Sequence, residues 1–215
     1  MIQMQQTSLD AFKKNFLEIK RIDKNEAARI LTPYHYLSNI SKGFKSGFNY
    51  GLFFDDEIIG VAIFTGLPVP ELVKGMLGLE RNEQEGLFEL SRLCLEPNIQ
   101  KKEHNLASWF LSRCIKRLRR ETNVRLILSY ADSDFHSGVV YAACNFKYYG
   151  LTAPKKDFYI ENENGSFTKH SRGKVRGVAG EWRERARKHR FLIKYDSSLS
   201  VKWKEEKWCK NANDQ

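Results

Sequence analysis

No segment of the sequence has the run of about 20 apolar residues that a membrane-spanning helix needs. The first residues carry neither the charged region nor the apolar region of a secretory signal peptide. The four cysteines show no CxxC spacing and three of them lie in apolar-patterned segments, which favours reduced thiols over a zinc site or disulfides. These absences predict a protein of the cytoplasm with no membrane partner.

Common catalytic and repeat signatures are missing as well. The chain has no Walker phosphate loop, no HExxH zinc motif, no Gly-x-Ser-x-Gly elbow and no internal repeat. Its 215 residues are 41% hydrophobic and 13% aromatic, which favours a folded protein with a substantial core. We expect a single domain over residues 1–195 and a peripheral tail, mobile or loosely attached, over residues 196–215.

Positive charge is in clear excess. The formal net charge is +10 at pH 7, and residues 169–190 hold much of it, with Lys and Arg among glycine, Trp182 and histidine. Such a segment is typical of an arm that follows a phosphate backbone, and the alternatives are a solvated helix face and a merely soluble basic surface. The residues expected to contact nucleic acid are Arg172, Lys174, Arg176, Arg187, Lys188, His189 and Arg190.

Hydrophobic periodicity divides the chain into helices and strands. Helices are predicted over residues 8–31, 71–79, 105–120 and 137–144. Strands are predicted over residues 48–54, 57–65, 87–95, 124–128, 147–152, 157–160 and 191–195. Pro33 is expected to end the first helix, and Gly60 to mark a bulge or a close backbone approach.

The stretch from Val124 to Gly150 organises the chain. Its strand runs into the polar residues 129–134, which are expected to end the strand and to cap a short helix. This order delivers polar side chains, Ser129 and Asp132 among them, to the mouth of a sheet, where open α/β sheets bind ligands. The stretch is therefore the predicted active centre.

Three polar residues outside that stretch have both a structural and a functional interpretation. His35 lies between two tyrosines after the first helix, where it either makes a structural hydrogen bond or serves as a switch or ligand. Glu89 and Arg92 share one predicted strand, and strict alternation puts them on opposite faces. A charge on a largely apolar face is either paired internally or functional.

Taken in order, these pieces resemble the Mom family of bacteriophage DNA-modification enzymes over most of residues 30–191. The resemblance is carried by His35-Tyr36-Leu37, Ile59-Gly60-Val61, Glu89-Leu90-Ser91-Arg92, Asn105-Leu106-Ala107-Ser108, Ser129-Tyr130-Ala131-Asp132, His136-Ser137-Gly138, residues 141–146, Tyr149-Gly150 and Arg187-Lys188-His189-Arg190. It implies an α/β (α+β) fold like that of the GNAT acetyltransferases, with a mixed central sheet flanked by helices. It also implies a reaction on double-stranded DNA, in which adenine N6 becomes N6-carbamoylmethyl (acetamido) adenine and phage DNA is protected from host restriction in the host cytoplasm.

The resemblance further implies roles for the polar residues. Asp132 is the candidate general base or hydrogen-bond partner at adenine N6, within a catalytic set that includes Ser129. Tyr36 and Tyr149 would stack on the base or act as acids, and Glu89 and Arg92 would orient this shell. His35, with Tyr36 or Asp132, is the candidate ligand set for a metal, and iron is the metal that the family implies.

A donor site is implied at the start of the helix predicted from Asn105. Free amides make a helix N-terminus an anion site, and acetyltransferases hold the pyrophosphate of coenzyme A there. Their glycine-rich RxxGxG/A signature is absent, because residues 101–107 read KKEHNLA. The donor is left open between acetyl-CoA or a related acyl donor and another activated small molecule. The candidate donor-binding residues are Asn105, Leu106, Ala107, Ser108 and Asn145.

Two other functions are compatible with the same residues. One is an acyl-CoA-dependent N-acetyltransferase that acts on a protein or a small amine. The other is a catalytically inactive GNAT-like domain that binds DNA through its basic surface. The polar set of His35, Glu89, Arg92 and Asp132 favours an enzyme, because a cleft of this kind is costly to fold. The oligomeric state is left open, a dimer included.

Overall fold

The computed structural model describes residues 17–36, 43–103, 105–170 and 175–210. Its strands are β1 (Leu17–Arg21), β2 (Phe48–Phe54), β3 (Glu57–Gly66), β4 (Leu87–Leu95), β5 (Leu126–Asp132), β6 (Lys147–Leu151), β7 (Lys155–Glu161), β8 (Phe167–Lys169), β9 (Glu181–Arg185) and β10 (Lys188–Lys194). Its helices are α1 (Lys24–Tyr34), α2 (Pro70–Leu77), α3 (Pro97–Lys102), α4 (Leu106–Glu121) and α5 (Val139–Ala143), with a 3₁₀ turn at Arg81–Glu83.

Seven strands form a mixed central sheet in the order β1-β2-β3-β4-β5-β10-β6. The β4–β5 pair is parallel, and the other neighbours in this sheet run antiparallel. The strands β6 and β10 are neighbours, yet between them the chain leaves the sheet to form a separate three-stranded sheet, β8-β7-β9. The predicted fold class, a mixed sheet flanked by helices, is confirmed.

Helices cover both faces of the central sheet, as its two-sided apolar pattern requires. On one face, α1 buries Ala27, Ile30 and Leu31 against the sheet. On the same face, α2 buries Val73 and Met76. On the other face lies the largest cluster of buried hydrophobic residues. The buried side of α4 packs there against residues of the strands and of α5. None of the helices in the described ranges is long and apolar enough to cross a membrane.

The start of the chain differs from the predicted helix over residues 8–31. Residues 17–21 form β1, paired along its whole length with β2, and residues 1–16 lie outside the described part. Asp23 begins α1 with a capping box: its Oδ1 accepts from Glu26 N–H at 2.8 Å, and Glu26 Oε2 accepts from Asp23 N–H at 2.9 Å. The apolar residues before Asp23 satisfied a helical period, but an open sheet edge was available to them, and sheet pairing prevailed. Pro33 lies within the last turn of α1 rather than after it.

The strand β5 extends further than the polar residues 129–134 predicted. It continues through Asp132, because β10 pairs beside it, with Arg190 opposite Tyr130 and Lys188 opposite Asp132. A neighbouring strand satisfies backbone groups whatever the polarity of the side chains. The consequence is that Asp132 is the last residue of a central strand, held rigidly at its carboxyl end.

Residues 196–210 contain no helix or strand, but several contacts join them to the core. Leu199 is buried in the cluster under α2, and Lys202 N–H donates to Met76 O at 2.8 Å. Trp208 Nε1 donates to Ser137 O at 3.1 Å, next to α5. This segment therefore passes from the α2 side of the sheet along the edge strand β6, where Glu206 N–H donates to Tyr148 O at 2.9 Å, to the side of α5.

Candidate active site

The two parallel strands part at the centre of the sheet. β4 and β5 pair only from Leu87 opposite Leu126 to Leu90 opposite Ser129. Beyond that point β4 continues along β3 and β5 continues along β10. The strands separate at their carboxyl ends, where open α/β sheets place their ligands, and this point is the candidate cleft.

A bulge in β4 sits at the mouth of this cleft. Along the β3–β4 pair, Phe64 faces Leu90 and Ile63 faces Arg92, so that Ser91 is the extra residue. A bulge shifts the alternation of side chains by one residue. The prediction that Glu89 and Arg92 lie on opposite faces is therefore wrong: both side chains are on the face that α1 covers.

The neighbouring strands add four more polar side chains to that face. Leu128, Tyr130 and Asp132 are two residues apart along β5, so that the two polar side chains share the face of the buried Leu128. The antiparallel register puts Arg190 and Lys188 directly opposite Tyr130 and Asp132 on β10. The result is a polar group in an otherwise apolar layer. We define the cleft cluster as Glu89, Arg92, Asp132 and Lys188 from this group, together with His35 and Tyr36 from the end of α1; Tyr130 and Arg190 share the face but are not included.

His35 and Tyr36 reach the cluster from the end of α1. His35 is the helix C-cap, only 8% exposed, and its ring stacks on that of Tyr36 at 4.6 Å between centroids. Burial, with the positive charge of Arg92 and the nearby His136, lowers the pKa of His35 to about 4. His35 is thus neutral at physiological pH, so it can accept or donate a hydrogen bond without carrying charge.

Burial sets the electrostatics of the other members. It raises the pKa of Glu89, and the positive charges of Lys188, Arg92 and Lys45 oppose that shift. Burial lowers the pKa of Lys188 with the help of Arg185, and Asp132 and Glu89 counteract it. Because each group is influenced by the others, a change at one position alters the charge state of its neighbours.

The structure places the two predicted tyrosines in different parts of the molecule. Burial and the carboxylate of Asp132 raise the pKa of Tyr36, so its hydroxyl remains protonated at neutral pH. Tyr149 lies in the core cluster under α2, where the pKa of its hydroxyl is raised by burial and by Glu205. Tyr149 therefore borders the C-terminal segment rather than the cleft cluster.

Ser129 does not point into the cleft. It occupies the alternate face of β5, is fully buried, and donates through Oγ to Leu90 O at 3.4 Å. That bond crosses from β5 to β4 at the last residue pair before the strands part. Ser129 thus holds the base of the cleft together, while Tyr130 and Asp132, which follow it in β5, face the opposite side of the sheet.

The predicted donor-binding residues fall into two groups. At the start of α4, Leu106 and Ala107 are buried in the core and Asn105 is exposed. Leu106 N–H and Ser108 Oγ already have partners, because they donate to Glu103 O at 3.1 Å and to Asn105 O at 3.0 Å. Asn145 ends α5 with a positive φ of 64° and is exposed, a conformation that Asn tolerates well.

A coenzyme A pyrophosphate fits this helix start poorly. The short helix α3 replaces the glycine-rich loop, and Glu103, which is 8% exposed, precedes α4 with its carbonyl accepting from Leu106 N–H at 3.1 Å. A buried carboxylate at this point opposes a diphosphate.

The basic residues expected to contact nucleic acid are also divided. Lys188, His189 and Arg190 belong to β10, where His189 Nδ1 lies 2.9 Å from Tyr148 Oη and Arg190 packs over the Trp203 ring at 4.5 Å. Arg176 and Arg187 are exposed. Arg172 and Lys174 lie outside the described residues.

The iron prediction gains no support from the structure. Among the described residues, no group of three or more His, Cys, Asp or Glu side chains is placed to hold a metal ion. The positive charge of Arg92 also acts to lower the pKa of both His35 and Tyr36, and the same charge disfavours a cation between them.

Two residues of the site were missed at the level of sequence. Lys188 was grouped with the phosphate contacts, although its register opposite Asp132 brings it to the cleft. Phe135 follows Asp132 in a tight turn, and its ring packs on Tyr36 at 4.4 Å between centroids while remaining 61% exposed. In the sequence, Phe135 stands out only as a large aromatic residue within the polar residues that follow β5.

The arrangement suits proton transfer and charge stabilisation next to a flat ligand. Asp132 supplies a carboxylate at the end of a rigid strand, Arg92 and Lys188 supply positive charge, and the aromatic rings supply a stacking surface. Neutral His35 adds a hydrogen-bonding group beside them.

Solved structures with a similar fold are GNAT acetyltransferases. The ribosomal-protein-S18-alanine N-acetyltransferase from Escherichia coli shares 12% identity at a TM-score of 0.50, covering 85% of this chain and 96% of its own. The putative acetyltransferase yncA from Salmonella typhimurium, with its cofactor acetyl-CoA, shares 14% at 0.51, covering 85% and 96%. A GNAT family acetyltransferase from Elizabethkingia anophelis, with acetyl-CoA bound, shares 12% at 0.50, covering 85% and 100%.

Sequence comparison assigns the family. No curated protein sequence is significantly similar to this chain. The profile of the Mom protein family, however, matches residues 16–204, which is most of the chain. The fold is that of the GNAT acetyltransferases, and the chain belongs to the Mom protein family.

Proposed function

We propose that this protein is a DNA-modifying transferase that converts adenine N6 in double-stranded DNA to N6-carbamoylmethyl adenine. The observation that carries the proposal is the cleft cluster: two carboxyl groups, two cations and a stack of rings lie together at the parting of β4 and β5. The formal charge of +10 favours a polyanionic substrate. Membership of the Mom family adds support.

Asp132 acts as the general base in this mechanism. The N6 nitrogen attacks the electrophilic carbon of the donor, the N–C bond forms, the bond to the leaving group breaks, and the carboxylate takes the N6 proton. An aromatic amine is a weak nucleophile, so positioning and an activated donor supply most of the rate. Arg92 and Lys188 stabilise the negative charge that develops on the donor or its leaving group.

An adduct on N6 has a direct consequence for recognition. The exocyclic amine of adenine is the hydrogen-bond donor that proteins read in the major groove. A carbamoylmethyl group there obstructs that edge, and restriction enzymes then fail to recognise their sites. We infer that the protein serves a phage in this way, as a protective modification of its DNA.

The adenine must leave the duplex before it can enter the cleft. Enzymes that act on a base in duplex DNA extrude it and pay the unstacking cost with contacts inside the pocket. The cleft cluster lies below α1 and next to the turn after β5. The exposed Arg176 and Arg187 lie in the segment between β6 and β10 that forms the small sheet, and this segment returns to the central sheet at Lys188, a member of the cluster. These arginines are the proposed contacts to the flanking phosphates.

Nucleoside mass spectrometry tests the proposal. DNA from cells that express the wild-type chain is expected to contain deoxyadenosine heavier by one carbamoylmethyl group. Asp132→Asn should abolish the adduct, and Asp134→Asn is the matched control, because it alters a carboxylate two residues away in the same turn. Full modification by a stably folded Asp132→Asn variant would contradict the role of Asp132. Unmodified DNA from cells with ample wild-type protein would contradict the reaction itself.

A second candidate is acyl-CoA-dependent N-acetylation of a protein or a small amine. The observation in its favour is the fold, which this chain shares with acetyltransferases whose structures contain acetyl-CoA. The buried Glu103 at the start of α4 weighs against it. Acetyl transfer to an amine panel in the absence of DNA would favour this candidate, whereas a catalytically inactive DNA-binding protein would show salt-dependent binding and no change in nucleosides.

A further inference from the structure

Three aromatic rings form a continuous stack at the mouth of the cleft. His35 and Tyr36 lie 4.6 Å apart between centroids with planes inclined by 22°. Tyr36 and Phe135 lie 4.4 Å apart with planes inclined by 31°. Both faces of the Tyr36 ring are therefore occupied, one by His35 and the other by Phe135.

The stack runs from the core to the solvent. His35 at its inner end is 8% exposed, whereas Phe135 at its outer end is 61% exposed and is the most exposed of the large apolar side chains in the described ranges. A single exposed apolar residue is ordinary, but this one continues an ordered row of rings. The outer face of Phe135 is the open end of that row.

The backbone fixes Phe135 relative to the candidate base. Phe135 N–H donates to Asp132 O at 3.0 Å, and Asp134 N–H donates to Asp132 Oδ1 at 3.2 Å. The turn that carries the ring thus begins at the residue that carries the carboxylate. A flat ligand on the outer face of Phe135 would lie next to the turn that ends β5.

We propose that Phe135 is the stacking platform for the base, and that a planar aromatic heterocycle becomes the fourth ring of the row. The inference rests on the proposed function, in which that heterocycle is the extruded adenine. Stacking on a side chain is tolerant of sequence, since every base has an aromatic face. Tyr36, which the sequence assigned to stacking, instead supports Phe135 from behind.

Kinetics with duplex DNA tests the platform. Phe135→Ala should lower kcat/KM for adenine modification about 5- to 100-fold, the range expected for the loss of one aromatic stack. Phe135→Trp should retain most of the activity, because it restores a stacking face. Phe167→Ala is the control, since Phe167 is also a partly exposed phenylalanine, at 38%, but lies on the small sheet. A Phe135→Ala variant with unchanged kcat and KM would overturn the proposal.

A binding measurement separates this inference from the proposed function. A short single-stranded oligonucleotide in which 2-aminopurine replaces every adenine should lose fluorescence when the wild-type protein binds it. Phe135→Ala should bind with similar affinity by anisotropy, because phosphate contacts are retained, but should restore the fluorescence. This result would support the platform even if no adduct forms in DNA. Equal quenching by Phe135→Ala and wild type, or no quenching by the wild type, would overturn it, and thermal melting confirms that each variant is folded.

Discussion

Glu89 and Arg92 lie on the same face of the central sheet, although they are three residues apart in one strand. The extra residue Ser91 in β4 produces this arrangement, and Ser91 Oγ donates to Ile63 O at 3.2 Å, which holds the bulge against β3. An unbroken strand would have turned Arg92 into the apolar layer under α4. The bulge instead assembles a charged group where the strands part, as bulges near active sites commonly do.

Arg92→Gln should raise two pKa values at once. Arg92 lowers the pKa of His35 and that of Glu89, so its removal is expected to shift the His35 titration upward from about pH 4. NMR titration of the His35 ring measures this. Lys45→Gln is the matched control: Lys45 acts on Glu89 but is not among the influences on His35. An unchanged His35 titration in Arg92→Gln would mean that the two side chains are not electrostatically coupled.

The stability of the protein should fall between about pH 6.5 and pH 4. In that window an unfolded chain protonates its histidine, whereas folded His35, with its pKa lowered to about 4, does not. Protons then bind preferentially to the unfolded state, and the free energy of unfolding decreases as the pH falls, by at most about 3 kcal/mol from this residue. Urea denaturation at several pH values measures the slope. His35→Gln should flatten it, and identical slopes for the two proteins would contradict the assignment.

Gly138→Ala should destabilise the fold severely. The backbone at Gly138 has φ of 91°, and an added Cβ would lie 2.3 Å from the ring of Phe191, which is fully buried. We expect a loss of about 3 kcal/mol or more in the free energy of unfolding, because strain and overpacking combine. Gly165→Ala is the control, since Gly165 also has a positive φ but nothing within 4 Å of the added Cβ. Its cost should be about 1 kcal/mol, and equal melting temperatures for the two variants would contradict the clash.

Leu199→Ala should lower the free energy of unfolding by about 2–4 kcal/mol, although Leu199 lies in a segment without regular structure. Its side chain is 4% exposed and packs against α2. Chemical denaturation measures the loss. Lys204→Ala, an exposed position in the same segment, should change the stability by less than about 0.5 kcal/mol. A neutral Leu199→Ala would show that residues 196–210 contribute little to the core.

Arg176→Glu combined with Arg187→Glu should weaken DNA binding and reduce the slope of log affinity against log salt by about 2. Both arginines are exposed on the excursion between β6 and β10, which leaves the sheet near the cleft. The control is Arg113→Glu combined with Arg120→Glu, which makes the same change of charge on α4, the helix that covers the other face of the sheet. Fluorescence anisotropy at several salt concentrations distinguishes them. Equal losses in both pairs would mean that net charge, and not this surface, governs binding.

Much of the fold was predictable because its signals are local. The hairpin of β2 and β3, the strand β4 and the helix α4 follow from period-two and helical patterns that are read within a dozen residues. The polar residues around Asp132 were also predicted to form the active centre, and the structure places His35, Tyr36, Glu89 and Arg92 close enough to influence one another electrostatically. Their chemical roles stay predictions.

The sequence by itself determined the class of the fold, the positive surface and the identity of the polar residues, since these depend on composition and short-range pattern. Tertiary structure alone decided which of them share a face. The bulge at Ser91 brought Arg92 to Glu89, the pairing of β10 brought Lys188 to Asp132, and the alternation of β5 turned Ser129 away. Strand register is a long-range property, and a shift of one residue reverses every side chain. For that reason the sequence predicted which residues belong to the candidate site but not how they are arranged in it.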